Sequence, residues 1–172
     1  MKDNSELTVQ NMSKKHVDDM LRLEQGSREN FWNNEIFLRH LKTPRHDGLV
    51  AVVNNVLVGF IAIEYKINSI RILNMVSSKK SSTFKVEDFL IRQVKLMISS
   101  QLNNIKFNVR ESNLKLQMIL KNNCFECTSI FKNYFIDNLA DKINREHAYC
   151  FTFSQQDLNS TLINFNTMSF SN

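Results

Sequence analysis

The clearest pattern of apolar and polar positions is GLVAVVNNVLVGFIAIEY, residues 48–65, two β-branched runs joined by Asn54-Asn55. Asn tolerates positive φ, so the pair predicts a tight hairpin turn between two strands. A further turn near Asn68-Ser69 leads into IRILNMV, a third antiparallel strand. Before the hairpin, ELTVQ (residues 6–10) alternates apolar and polar and reads as a short strand. Ser13 can cap the helix that follows, whose apolar side holds Val17, Met20, Leu21 and Leu23. A second helix comes from NNEIFLRHLK, with Ile36, Phe37, Leu38 and Leu41 at helical spacing.

After the third strand of that run, VEDFLIRQVKLMISS (residues 86–100) carries an amphipathic pattern through Phe89, Leu90, Val94, Leu96, Met97 and Ile98. IKFNV is the next strand. Ser112 or Asn113 caps the helix LKLQMILKNN, with Leu116, Ile119 and Leu120 on its apolar side. FECTSIFKNYF and HAYCFTF read as two last strands separated by a polar loop. From Ser154 onward the chain is rich in Ser, Asn and Thr with isolated apolar residues. This predicts one domain over residues 1–153 and a loosely ordered polar tail over 154–172. Leu162, Ile163, Phe165, Met168 and Phe170 give that tail the means to bind a protein partner. The order β, α, α, β, β, β, α, β, α, β, β predicts an α+β fold, a mixed, mainly antiparallel sheet flanked by helices.

Composition changes this picture little. The 172 residues suit one core, and 42% hydrophobic with 23% charged residues is an ordinary globular mix. Only three Gly and one Pro occur, a scarcity that matters where a backbone must approach a ligand closely. The net charge of +5 is spread over scattered Lys and Arg, with short clusters at Lys14-Lys15 and Lys79-Lys80. Without a basic and aromatic stripe, nucleic acid is not an expected partner. No apolar run approaches the ~20 residues of a membrane helix. The polar start MKDNSELTVQ argues against a signal peptide, so a cytoplasmic location is expected.

Three cysteines do not form a disulfide framework. Cys124-x-x-Cys127 with His147-x-x-Cys150 has the look of a zinc pattern, but residues three apart in a strand point to opposite faces, so no metal site is expected. His16, His40 and His46 show no partner pattern and are expected on the surface. Trp32 with Phe31 is expected either in core packing or along an acceptor groove.

The element order, with VLVGF, RILNMV, VRESN and the final KNYF and HAYCFTF, resembles the GNAT superfamily of acyl-CoA-dependent N-acetyltransferases. The branch it resembles most is that of the ribosomal-protein alanine N-acetyltransferases. VRESN, residues 109–113, is the most specific piece. The resemblance implies acetyl-CoA as donor and an amine as acceptor, with a protein N-terminus as one candidate. It implies that the pantetheine arm lies along a splayed gap between the fourth and fifth strands, here 70–76 and 105–109. Met75 and Val76 would then be backbone ligands.

The family's pyrophosphate loop reads Gln/Arg-x-x-Gly-x-Gly/Ala, and its backbone N–H groups cradle the phosphates at a helix start. The matching residues are Ser81, Ser82, Thr83, Phe84, Lys85 and Val86, with no Gly. Either hydroxyls and Lys charges replace the lost amide cradle, or the segment is a polar connector and cap. Val86 and Phe84 are expected to crowd a ligand there. Asn113 retains the family's Asn beside the cofactor, although helix capping also explains it.

The resemblance also locates the proton-transfer groups. The family's general base, a Glu just before VRxSN, is Asn108 here, and its Tyr acid, eleven residues beyond Val109, is Leu120. An amide removes no ammonium proton, and Leu has none to give. Tyr134 matches a family tyrosine placed near the acceptor and is the remaining catalytic candidate. Glu64 or Glu111 could act as base through water. The Gly that ends the preceding helix in the family is absent, which leaves Asn122 or Asn123 for the left-handed position. Two functions follow from the resemblance: an acetyl-CoA-dependent N-acetyltransferase with a divergent loop, or a catalytically silent binding or regulatory module on the same fold.

Overall fold

The computed structural model describes residues 6–25, 32–78, 85–139 and 142–155. The strands are β1 (Leu7–Asn11), β2 (His46–Val53), β3 (Val56–Tyr65), β4 (Ser69–Ser77), β5 (Asn104–Arg110), β6 (Glu126–Leu139) and β7 (Lys142–Ser154). The helices are α1 (Val17–Glu24), α2 (Asn34–Lys42), α3 (Val86–Lys95) and α4 (Leu114–Asn122). They follow one another as the sequence pattern predicts. The strands form one seven-stranded sheet in the order β1-β2-β3-β4-β5-β7-β6, a mixed α+β architecture. The chain divides into two compact units, one of residues 1–66 and 71–96, the other of 67–70 and 97–172. Among the described residues, no helix is long and apolar enough to cross a membrane.

The first unit is built on the β2–β3 hairpin, whose turn residues Asn54 and Asn55 both take positive φ, 49° and 62°. That is the two-residue turn whose twist matches its strands. β3 is buried continuously from Leu57 to Ile63 instead of alternating, because both of its faces are covered. Phe60 and Ala62 join Met20 and Phe37 in the core beneath α1 and α2. Gly59 lies against Val86 and Leu90 of α3. The switch between faces comes from a bulge: Ala51 faces Gly59 and Val52 faces Leu57, which leaves Val58 as the extra residue.

α1 starts later than its pattern suggests. Ser13 precedes a 3-10 turn, Lys14–His16, and its backbone N–H donates to His16 Nδ1 at 3.1 Å. α2 is capped by Asn33, whose Oδ1 accepts from Ile36 N at 2.9 Å. α3 ends at Lys95, well short of residue 100, and Leu96 beyond it is exposed.

The expectation of three surface histidines is corrected here. His16 and His40 are buried, and His46 is half-buried. His40 Nδ1 lies 3.0 Å from His46 Nδ1, while His40 Nε2 meets the Asp47 carbonyl at 2.9 Å. Since a carbonyl only accepts, His40 holds its proton on Nε2 and takes one from His46 at Nδ1. These contacts join a helix residue to residues of the strand after it, which a periodic pattern within one element does not show. Trp32 packs on Phe37 and His40, with ring centroids 5.3 Å and 5.1 Å away. Phe31 lies outside the described residues.

The second unit centres on β5 and β7, paired antiparallel from Asn104 opposite Ser154 to Arg110 opposite Ala148. β6 and β7 run much further than their apolar patterns indicate, out to Leu139 opposite Lys142. The expected polar loop over 136–146 is thus mostly a two-stranded ribbon. Its anchor is charged and so left no apolar signature: Arg110 donates to Asp137 at 2.7 and 2.9 Å and to Glu146 at 3.0 Å. The guanidinium also lies 4.4 Å from the centre of the Phe135 ring. Cys124, not Asn122 or Asn123, takes the left-handed position after α4, with φ 64°. Asn123 instead turns its side chain back onto the Ile119 carbonyl at 2.9 Å. The tail beyond Gln155 lies outside the described residues.

Candidate functional site

In the first unit, Met75 and Val76 are buried near the end of β4. Ser81, Ser82, Thr83 and Phe84 lie outside the described residues. Lys85 is exposed and takes φ 46°, a left-handed conformation that glycine adopts most easily. Val86 opens α3 and is only 1% exposed. A Cβ built on Gly59 would come within 2.5 Å of Val86 Cγ1, so the valine fills the space that the glycine leaves. The expectation that Val86 crowds a ligand at the helix start is therefore corrected: its side chain is in the core.

The Lys85 side chain does not cap α3, and Phe89 N donates to Lys85 O at 3.0 Å. The N–H groups ahead of Phe89 are those an α-helix leaves without intrahelical partners. Glu87 and Asp88 stand in the same turn and offset its positive end. Asp88 is in turn paired with Arg92 at 3.0 Å.

Among the other acidic candidates, Glu64 is paired with Lys66, and with Arg71 at 3.7 Å, and lies 3.7 Å from the His46 ring. Burial acts to raise its pKa. The Lys66 hydrogen bond and the three nearby positive groups outweigh burial and hold the carboxyl below its usual range. A carboxylate so held is a poorer base.

In the second unit, Asn108 is half-buried in β5 opposite Cys150. Leu120 is fully buried, at 0% exposure. Asn113 caps α4, its Oδ1 accepting from Leu116 N at 3.0 Å. Glu111 accepts from His147 N at 3.5 Å. Tyr134 is 51% exposed on β6, with the rings of Phe131 and Phe135 5.9 Å and 5.0 Å away. Along β7, the residue opposite Asn108 and the residue opposite the Tyr134 segment are three apart, so about 10 Å separates them.

Cys124 and Cys127 are exposed and Cys150 is buried. Among the described residues, no three His, Cys, Asp or Glu side chains group as metal ligands. The sequence reading did not find the Arg110, Asp137 and Glu146 cluster. Its only signal was an Arg followed, in two later segments, by acidic residues without a periodic pattern.

No protein-family model matches the chain, and no curated protein matches it. Solved structures do. The ribosomal-protein-S18-alanine N-acetyltransferase from Escherichia coli superimposes with a TM-score of 0.75 at 15% identity, over 87% of this chain and 94% of that one. NAA60 from Arabidopsis thaliana, solved in complex with acetyl-CoA, gives 0.73 at 12%, over 87% and 99%. Ard1 from Thermoplasma volcanium gives 0.73 at 22%, over 86% and 97%. On these superpositions, the chain has the GNAT acetyltransferase fold.

Proposed function

We propose that this protein is an acetyl-CoA-dependent N-acetyltransferase acting on an amine, with a peptide or protein N-terminus as the acceptor class. In this reading it works without the acid and base side chains of the enzymes it resembles. Residues 1–153 are the transferase domain and 154–172 an appended tail. The observation that carries the reading is Val86. Its side chain packs onto Gly59 and away from the start of α3, and Lys85 takes the left-handed conformation before it, so the helix opens there without a glycine at that position.

Those residues fit the pyrophosphate of acetyl-CoA. The N–H groups at the start of α3 would meet it, and the Lys85 ammonium adds positive charge. Met75 and Val76 would offer backbone groups to the pantetheine arm. Glu87 and Asp88 work against the anion, which predicts weak affinity. Bound acetyl-CoA supplies the activated acyl group. The chain's own contribution is mostly to hold the amine in place. Asn108 can orient an amine by hydrogen bonding but cannot take its proton. Leu120 gives only apolar packing. The Tyr134 hydroxyl stands on the exposed face of the ribbon as the acceptor-side polar group.

The second reading, a catalytically silent module, draws on Asn108, Leu120 and the acidic first turn of α3. One experiment separates them: release of free thiol from acetyl-CoA in the presence of peptides with varied N-termini. The proposal expects slow turnover that depends on the peptide and rises with pH as more of the amine is unprotonated. Acetyl-CoA binding without turnover on any amine would favour the silent module.

A further inference from the structure

The β6–β7 ribbon contains a defect. Phe131 faces Ala148 and Phe135 faces Glu146, so β6 places Lys132, Asn133 and Tyr134 against the single residue His147. Such a bulge bends the strand and re-aims a side chain. Asn133, at its centre, takes φ 53°. Its backbone N–H donates to His147 Nδ1 at 3.1 Å. A backbone N–H can only donate, so Nδ1 carries no proton and the neutral ring keeps its hydrogen on Nε2. One residue beyond Asn133 is Tyr134, whose ring leans on Phe135, which in turn lies under Arg110. The bulge is thus tied on one side by Arg110 and on the other by the unprotonated nitrogen of His147.

We propose that His147 is a positioning residue: its neutral imidazole holds the Asn133 kink, and the kink sets where Tyr134 stands. This rests on the reading of Tyr134 as the acceptor-side residue. Protonation adds a hydrogen to Nδ1, which then faces another donor, and the tie is lost. Without it, β6 can slip towards a regular register, and a slip of one residue moves Tyr134 to the other face of the ribbon. The charged residues at neighbouring strand positions are Arg110 and Glu111 at and just beyond the end of β5, Lys132 and Asp137 on β6, and Arg145 and Glu146 on β7. Glu111 is also tied to the His147 backbone, donating its N–H to the His147 carbonyl at 3.1 Å. Arg110 pairs with both Asp137 and Glu146, so these three charges largely offset one another.

The test uses the full chain, with two variants of opposite meaning. His147→Asn offers an amide oxygen near the place of Nδ1 and does not titrate; His147→Leu offers no acceptor. Amide NMR follows the Asn133 N–H and the Tyr134–Phe135 ring contacts between about pH 8 and about pH 5. In the parent, hydrogen-exchange protection at Asn133, corrected for intrinsic exchange, falls about tenfold or more as His147 protonates. In His147→Asn it stays pH-independent over this range, and in His147→Leu it is low throughout. With a peptide acceptor, His147→Leu raises KM about tenfold while acetyl-CoA affinity holds, and His147→Asn restores KM. Unchanged Asn133 protection and Tyr134 contacts in His147→Leu would overturn the proposal. If that variant does not fold, a flat Asn133 profile across the parent's own His147 titration overturns it equally. Absence of turnover in the parent would count against the transferase reading alone, since the NMR measurements decide the role of His147 without it.

Discussion

Replacing Arg110 with Met tests what holds the β6–β7 ribbon. The Arg110 side chain is 8% exposed, and it is the shared partner of Asp137, 39% exposed, and Glu146, 13% exposed. Methionine keeps much of the apolar stem and removes the guanidinium. It leaves Glu146 half-buried without its cation, and removing one partner of a buried pair costs about 3–5 kcal/mol. The Asp137 arm is more exposed and contributes no more than about 1 kcal/mol. The lost contact over Phe135 adds about 0.5–1 kcal/mol. Glu146 still accepts from Ser112 N at 2.7 Å, which softens the loss, so about 3 kcal/mol is expected in all.

For a chain of this size that lowers Tm by roughly 6–12 °C. Urea melts of the parent, Arg110→Met, Glu146→Gln and the double variant give the coupling directly. Burial acts to raise the Glu146 pKa, but the Ser112 hydrogen bonds and Arg110 outweigh it and hold the group below its ordinary value. The pair's contribution is therefore present above the usual carboxylate pKa and is lost as pH falls through the lowered one. A loss below about 1 kcal/mol for Arg110→Met, or no coupling to Glu146, would refute the reasoning.

Gly59→Ala should cost about 1–3 kcal/mol, because the new methyl meets Val86 Cγ1 at 2.5 Å and the Val76 carbonyl at 3.1 Å. Adding Val86→Ala should recover part of that loss, and strict additivity in denaturant melts would contradict the packing. Burial, with the nearby His46 charge, holds the His40 pKa below 6.5 despite its bond to Asp47, so the folded state keeps this ring neutral. A lowered His pKa means stability that is present above 6.5 and lost as pH falls from there through the folded value. Trp32, the one tryptophan in the chain and 5.1 Å from His40, should report the step as emission that falls with pH, a step absent in His40→Gln. Asn108→Glu puts a carboxylate where the resemblance calls for a base. It should raise kcat/KM for a peptide acceptor about tenfold or more, and an unchanged rate constant would remove Asn108 from the site.

Local signals carried most of the fold. Asn54-Asn55 announced the hairpin because positive φ restricts the residues a tight turn accepts. The apolar spacing in 17–23 and 36–41 located α1 and α2. What was not legible is held by contacts between distant residues. The outer halves of β6 and β7 look like a polar loop because an Arg110 ion pair replaces apolar burial there. His40 and His46 are six residues apart and meet only once α2 packs beside β2. Val86 read as an obstacle because a sequence gives no direction to a side chain, and the structure turns it onto Gly59. The bulge opposite His147 has no period at all, being a departure from one. Of the candidate site residues, Asn108 and Leu120 were identified through VRESN alone. The structure supplies their burial and, for Asn108, its offset along β7 from the Tyr134 segment.

The account turns on whether the start of α3 accepts a CoA pyrophosphate without glycine. Isothermal titration of the full chain with acetyl-CoA, beside Lys85→Glu, tests this most directly. The account predicts saturable binding of about micromolar to millimolar strength, weakened severalfold or more by the charge reversal and by added salt. No heat of binding at millimolar acetyl-CoA, or equal affinity in the parent and Lys85→Glu, would contradict it.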